Sequence, residues 1–146
     1  MTQSLTLENI SAHYGSTQVL EDLSLQIAEG ELVSLLGSSG CGKTTTLRLV
    51  AGFLEPTAGT IHLGDRDLTR LPAYARDIGL VFQTYALFPH LTVRDNVGFG
   101  LKQRKISSAE RTKRVNTIIE RVGLDELADR YPANLSGGQR QRVALA

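Results

Sequence analysis

Gly37-Ser38-Ser39-Gly40-Cys41-Gly42-Lys43-Thr44 is the stretch on which the fold turns. It satisfies G-x-x-x-x-G-K-[ST], with a short apolar run, residues 32–36, before it and a predicted helix, residues 43–51, after it. Strand, glycine-rich loop and helix in succession open an α/β unit. Glycines let the backbone turn so tightly that successive N–H groups converge on one phosphate chain, and the helix N-terminus behind them favours the anion. Such a loop makes a cradle of Gly37, Ser38, Ser39, Gly40, Cys41 and Gly42. Lys43 reaches the β- and γ-phosphates, the Thr44 hydroxyl ligates Mg²⁺, and Thr45 adds a phosphate contact. The plainer alternative is a glycine-rich surface turn beside an ordinary lysine. The strand and helix on either side are the context that tells against it.

Working outward, residues 5–10 and 19–27 alternate roughly apolar and polar, which predicts two half-buried antiparallel strands joined around Gly15. Glu29-Gly30 reads as a turn. The run 32–36 is almost wholly apolar, as expected of a strand buried on both faces. Residues 59–63 and 78–82 read as strands, and residues 93–102 as a helix that carries two glycines. The clearest helix covers residues 108–122, where Val115, Ile118, Ile119 and Val122 fall at i, i+3, i+4 and i+7. Ser107 with Glu110 fits a capping box, and Gly123 supplies a stop. Pro132 breaks the chain before a second glycine loop, residues 135–139. Residues 140–146 read as helix without a Gly, Asn or Pro stop, the expectation for a truncated sequence.

Composition narrows the class. The length of 146 residues fits one domain, and 41% apolar with 21% charged residues is ordinary for a globular protein. A formal charge of +1 gives no reason to expect wholesale binding to nucleic acid or anionic lipid. Cys41 is the only cysteine, so no internal disulfide forms and a reducing compartment fits. The N-terminus lacks the pattern of a secretory signal, and nowhere do 18 apolar residues run together, so membrane association is expected only through a partner. The basic stretch Lys102, Arg104, Lys105, Arg111, Lys113 and Arg114 has no aromatics interleaved to stack bases, so a solvated helix face is the better account and no nucleic-acid partner is expected.

Leu135-Ser136-Gly137-Gly138-Gln139 is a second candidate anion site: a hydroxyl, two bare backbone amides and a helix N-terminus. Alone it could equally be a flexible loop capped by Ser136. A phosphate loop followed about a hundred residues later by LSGGQ closely resembles the ATPase subunits of ABC transporters, over essentially the whole chain. The resemblance implies an α/β P-loop NTPase fold with an N-terminal antiparallel β subdomain, a helical subdomain and an incomplete central sheet. It divides the chain into residues 1–82 (β subdomain and P-loop core), 83–134 (Q-loop and helical subdomain) and 135–146 (signature loop and the start of its helix). It implies ATP and Mg²⁺ as ligands. Tyr14 matches the aromatic that stacks on adenine and Val19 the apolar residue near the base. Gln83 matches the Q-loop glutamine that touches Mg²⁺ and the attacking water. Taken singly, Tyr14 could be a packed strand-end aromatic and Gln83 a solvated loop residue.

In that family one subunit's P-loop holds the nucleotide while a partner's LSGGQ covers the γ-phosphate, so Ser136, Gly137, Gly138 and Gln139 act in trans within a head-to-tail homodimer. The segment Tyr85-Ala86-Leu87-Phe88-Pro89-His90-Leu91-Thr92-Val93-Arg94-Asp95-Asn96-Val97 is similar to that of importers of polyamines, ferric iron, sulfate, sugars and aminoethylphosphonate. The resemblance implies transmembrane permease subunits docked there, an extracytoplasmic solute-binding protein working with them, and a place on the cytoplasmic face of the membrane. Leu87, Phe88 and Leu91 suit such a docking face, or else fill the domain's own core.

The family also requires an apolar strand ending in Asp-Glu, and a later switch histidine. Leu124-Asp125-Glu126 lies upstream of LSGGQ and follows a helix stop, so Asp125 is expected to cap the next short helix. His13, His62 and His90 do not fall where the switch histidine should. Lys43 and Gln83 are therefore the only catalytic candidates, with no general base among these residues. The 146 residues by themselves are expected to turn ATP over slowly or not at all. The alternatives are a non-transport ABC ATPase of DNA repair or translation, which usually carries coiled-coil insertions or a second cassette, and a nucleotide-binding module without turnover.

Overall fold

Alternating apolar residues near the N-terminus become a long hairpin in the computed structural model, which describes residues 3–146. Strands β1 (Leu5–Tyr14) and β2 (Thr17–Ile27) pair antiparallel from Leu5↔Ile27 to Tyr14↔Thr17, turning at Gly15 as expected. β3 (Ala58–Leu63) adds to the other edge of β1, and the two-residue β4 (Arg66–Asp67) adds to β3, giving the antiparallel order β2-β1-β3-β4.

The alternation in β1 is interrupted once. Leu7 and Ile10 are both buried although three positions apart, because the ladder shifts register between them. Asn9 takes up the extra residue at φ 50°. Its N–H donates to Ser24 Oγ at 3.0 Å and its side-chain amide to Asp22 Oδ1 at 2.6 Å. Leu7, Ile10, Ala12 and Ile61 then meet Leu49 of helix α1 (Lys43–Ala51) and Leu68 in one apolar cluster.

The described chain divides into two compact units, one ending at Leu80 and the other Val81–Ala146. The second is helical: α2 (Val93–Gln103), α3 (Ser108–Arg121) and α4 (Gly137–Leu145), with single 3₁₀ turns at Asp125–Leu127 and Pro132–Asn134. The periodic stripe of α3 buries Val115 and Ile119 against Val93, Leu124, Ala128, Leu135 and Val143. Gly98 of α2 is no defect in that packing, since a Cβ there would stand 3.3 Å from Val115 Cγ2. Arg142 of α4 reaches back to close α3, its Nη1 donating to the carbonyls of Val122 at 2.7 Å and Gly123 at 3.0 Å.

Several expectations need correction. Residues 32–36 and 78–82 form no strand, and Leu32 and Leu36 are 94% and 90% exposed rather than buried on both faces. An apolar run becomes a buried strand only against ladder partners, and no described strand pairs with either run. The helix expected over 140–146 starts at Gly137, so most of the second glycine loop is the first turn of α4. Ser107 accepts from the Glu110 N–H at 3.4 Å, but the Glu110 carboxylate binds Arg114 instead of completing a capping box. Asp125 is the first residue of its 3₁₀ turn and caps nothing; Leu124 holds the cap position.

Candidate functional site

The loop 37–42 leads directly into α1, whose N-cap, Gly42, adopts φ 92°. α1 differs from the other three helices at this end. Thr92, Ser107 and Ser136 each accept a backbone N–H and so cap α2, α3 and α4, whereas α1 has no side-chain cap. The first N–H groups of a helix lack intrahelical acceptors, and here no side chain supplies one. The carbonyl of Gly42 is in turn well satisfied, accepting from both N–H and hydroxyl of buried Thr46 at 2.8 and 3.0 Å. The Gly42 acceptor is thus occupied, while no side chain engages the first N–H groups of α1.

Lys43 curls over the loop. Its ammonium donates to the carbonyls of Gly37 at 2.8 Å and Ser38 at 2.7 Å, and lies 3.2 Å from Cys41 Sγ. The hydrogen bond from that ammonium holds the exposed Cys41 thiol below its usual pKa. A Cβ at Gly37 would fall 2.6 Å from Cys41 Sγ, and one at Gly42 would fall 2.5 Å from Leu20 Cδ2 and 3.4 Å from the Val19 carbonyl. The hairpin end thus packs directly under the loop. Tyr14 sits on the same hairpin, 43% exposed, with its hydroxyl accepting from Arg48 of α1 at 3.2 Å. Thr44 is exposed, as are Ser38, Ser39 and Gly40, while Thr45 is buried. One unit thus brings together Tyr14, Val19, the glycine loop, Lys43, Thr44 and Thr45.

That donor set fits a nucleotide triphosphate with its Mg²⁺. A cationic side chain and uncapped helix N–H groups suit the phosphates, and one exposed hydroxyl suits a metal that arrives with most of its ligands on phosphate and water. No cluster of three or more His, Cys, Asp or Glu side chains able to hold a metal is found among the described residues.

Gln83 lies in the second unit, exposed in a turn just ahead of Tyr85 and Ala86, which both have positive φ. The signature residues share that unit. Ser136 Oγ accepts from the Gln139 N–H at 3.3 Å and Gln139 Oε1 accepts from the Ser136 N–H at 2.8 Å, a complete capping box. Gly137 and Gly138 are exposed with nothing within 4 Å of a Cβ position, and buried Leu135 anchors the turn.

The segment after Gln83 splits its apolar residues. Leu87 packs against the helical core, whereas Phe88 is 39% exposed and stacks on Phe99 at 4.4 Å between centroids. Leu91 lines a cavity of about 540 Å³ with His90, Arg94, Phe99, Arg111 and Val115. Asn96 shapes this turn: its side chain accepts from the Phe88 N–H and donates to the carbonyls of Phe88, Leu91 and Thr92. Sequence reading included Asn96 in the importer-like segment but gave it no role, although Thr92 with Asp95 three positions on marks a helix start that would have placed it. It also missed Arg48 and Arg76, for which no local pattern gives a signal.

Residues 20–146 match the family described as ABC transporter. The chain belongs to that family. It is 52% identical to the spermidine/putrescine import ATP-binding protein of Thermobifida fusca (strain YX), covering 98% of this chain and 38% of that protein. Identity is 51% to the putrescine transport ATP-binding protein of Escherichia coli (strain K12), over 100% of this chain and 39% of the relative. It is likewise 51% to the Fe(3+) ions import ATP-binding protein of Pasteurella multocida (strain Pm70), over 97% and 41%. The chain thus spans about two-fifths of the length of these curated relatives. Among solved structures, a bacterial ABC transporter cassette in dimeric form superposes with a TM-score of 0.86 at 34% identity, over 96% of this chain and 66% of that one. This ABC chain therefore has the P-loop NTPase fold, with part of its sheet, and its relatives are importer ATP-binding subunits.

Proposed function

We propose that this chain is the nucleotide-binding part of an importer ATPase subunit, with the loop 37–44 gripping the phosphates of ATP-Mg²⁺. The carrying observation is the α1 terminus: it alone among the four described α-helices has no side-chain cap, and Lys43 is its first residue. Binding sets the Lys43 ammonium against the β- and γ-phosphates, the α1 N–H groups against phosphate oxygens, and the Thr44 hydroxyl on Mg²⁺. Tyr14, oriented by Arg48, offers its ring to the adenine, with Val19 beside the base. Thr45, buried in the first turn of α1, is proposed to add a further phosphate contact.

The signature residues Ser136, Gly137, Gly138 and Gln139 are proposed to serve the nucleotide of a second copy, and Gln83 the metal and water. A dimeric relative supports that pairing. Positive helix ends and Lys43 then surround the γ-phosphate where negative charge must be stabilised during transfer. Phe88 and Leu91 would receive permease subunits, holding the ATPase on the cytoplasmic side of the membrane, with a solute-binding protein beyond. No described helix is long and apolar enough to cross a membrane itself. Asp125 and Glu126 sit exposed on a 3₁₀ turn of the helical unit and do not follow an apolar strand in sequence, so the water-activating carboxylate is proposed to belong to the larger subunit.

The test measures Mg²⁺-dependent ATP binding by the chain and by Lys43→Ala, with phosphate release recorded in the same samples. Binding that depends on Lys43 without turnover is expected. Binding indifferent to Lys43 would refute the phosphate role, and brisk Lys43-dependent turnover would refute the assignment of the missing carboxylate.

A further inference from the structure

The far end of α1 is closed by a side chain from elsewhere in its own unit. Arg76 is 1% exposed. Its Nη1 donates to the carbonyls of Leu49 at 2.6 Å and Val50 at 2.9 Å, both in the last turn of α1. Nε donates to the Leu71 carbonyl at 2.7 Å, and Nη2 reaches the Thr69 carbonyl at 3.5 Å. All four partners are backbone carbonyls and none is a carboxylate. A guanidinium at this end satisfies orphan carbonyls and complements the helix dipole. Burial disfavours its charged form, with Glu55 opposing that effect. Gly52 makes the room, since a Cβ there would stand 2.5 Å from Arg76 Nε and 3.0 Å from the Ala73 nitrogen.

We propose that Arg76 is a positioning residue for the phosphate cradle, clamping the last turn of α1 to the segment 69–71 and so fixing where its first N–H groups and Lys43 stand. The inference rests on the nucleotide-binding reading above. A nine-residue helix is a rod about 13 Å long, so a pivot of roughly 5° at the clamp moves the loop end by about 1 Å. Displacement of that size lengthens hydrogen bonds to phosphate past their useful range. Only the rigid guanidinium fork spans carbonyls on two segments; a lysine ammonium at this depth does not. The effect falls on the phosphates the loop grips at the far end of the rod; Arg48, which holds Tyr14, adjoins Leu49 at the pivot and moves little, so the base at Tyr14 and Val19 is barely disturbed.

The experiment compares dissociation constants of Mg-ATP and AMP, by equilibrium dialysis, for the full chain and for R76A, R76K and G52A, with folding checked by circular dichroism. G52A retains Arg76 but drives its guanidinium off the carbonyls. Expected is an affinity loss for ATP of about tenfold in R76K and G52A, comparable to one charge-assisted hydrogen bond, with AMP changed by less than about twofold. Should R76A fail to fold, the other two variants decide. Equal losses for ATP and AMP, or unchanged ATP affinity in both R76K and G52A, would overturn the positioning role. A wild-type chain that binds no ATP would overturn the nucleotide reading itself, and this inference with it.

Discussion

Replacing Gly42 with alanine meets two separate obstacles, and the structure allows each to be sized. The backbone obstacle is the positive φ of 92° at the N-cap of α1, a conformation that costs a residue bearing Cβ about 1–2 kcal/mol. The packing obstacle is Leu20, whose Cδ2 lies 2.5 Å from the new methyl and must withdraw within its apolar cluster. Overpacking costs about 1–3 kcal/mol, and a half-buried leucine with rotamers to spare falls at the lower end. Gly42→Ala should therefore destabilise the β unit by about 2–3 kcal/mol. Gly40→Ala separates the contributions, because Gly40 has φ 86° but nothing within 4 Å of its Cβ position, leaving only the backbone cost of about 1–2 kcal/mol. Urea unfolding followed at 222 nm measures both. In a Leu20→Ala background the extra cost of Gly42→Ala should vanish, a coupling of about 1 kcal/mol. Equal destabilisation by the two glycine substitutions, or no coupling to Leu20, would refute the steric account.

Alkylation of Cys41 by iodoacetamide should show a pH midpoint below that of an ordinary thiol, near 8.5, because the Lys43 ammonium stabilises the thiolate. The folded pKa is depressed, so reactivity appears at lower pH; Lys43→Ala should move the midpoint upward, and an unmoved midpoint would discount the contact. Asn96→Ala should cost about 1–2 kcal/mol in urea unfolding of the helical unit, since one side chain serves four backbone groups. Asn96→Asp should be at least as damaging, because a carboxylate would face three carbonyls. Ser136→Ala should lower stability by about 1 kcal/mol through loss of the α4 cap, and a neutral result in thermal melts would deny the capping box an energetic role.

The helices were legible because their signals are local. Val115 and Ile119 of α3 repeat at helical spacing, and Gly123, at φ 62°, ends the helix as expected. The hairpin was legible for the same reason, though its strands run further toward Gly15 than alternation indicated, since buried Ala12 between half-buried Ser11 and His13 is a weak apolar signal and Tyr14, Thr17 and Gln18 are exposed. Residues 32–36 and 78–82 mark the limit of such reading. Their composition reports a preference for burial, but burial is a property of pairs, and the described residues supply no partner strand. At the proposed site, the glycine loop and Lys43 stand out in the sequence because phosphate binding would demand those residue types in that order. Arg76 was not: nothing near it in sequence distinguishes an arginine that closes a helix from one that faces solvent. Asn9, which lets both Leu7 and Ile10 face inward, is equally silent until the register shift is seen.

The contrast between the open end of α1 and the self-capped end of α4 sets an order of events. A phosphate arriving at α1 displaces no side-chain cap. One arriving at α4 finds the N–H groups of Ser136 and Gln139 already committed to each other's side chains, which leaves it those of Gly137 and Gly138 and no adjacent lysine. Free anion in solution should thus settle first at α1, and α4 should engage only a phosphate already immobilised and presented to it. On the proposed reading, the two helix starts carry a sequence in time: load, then close.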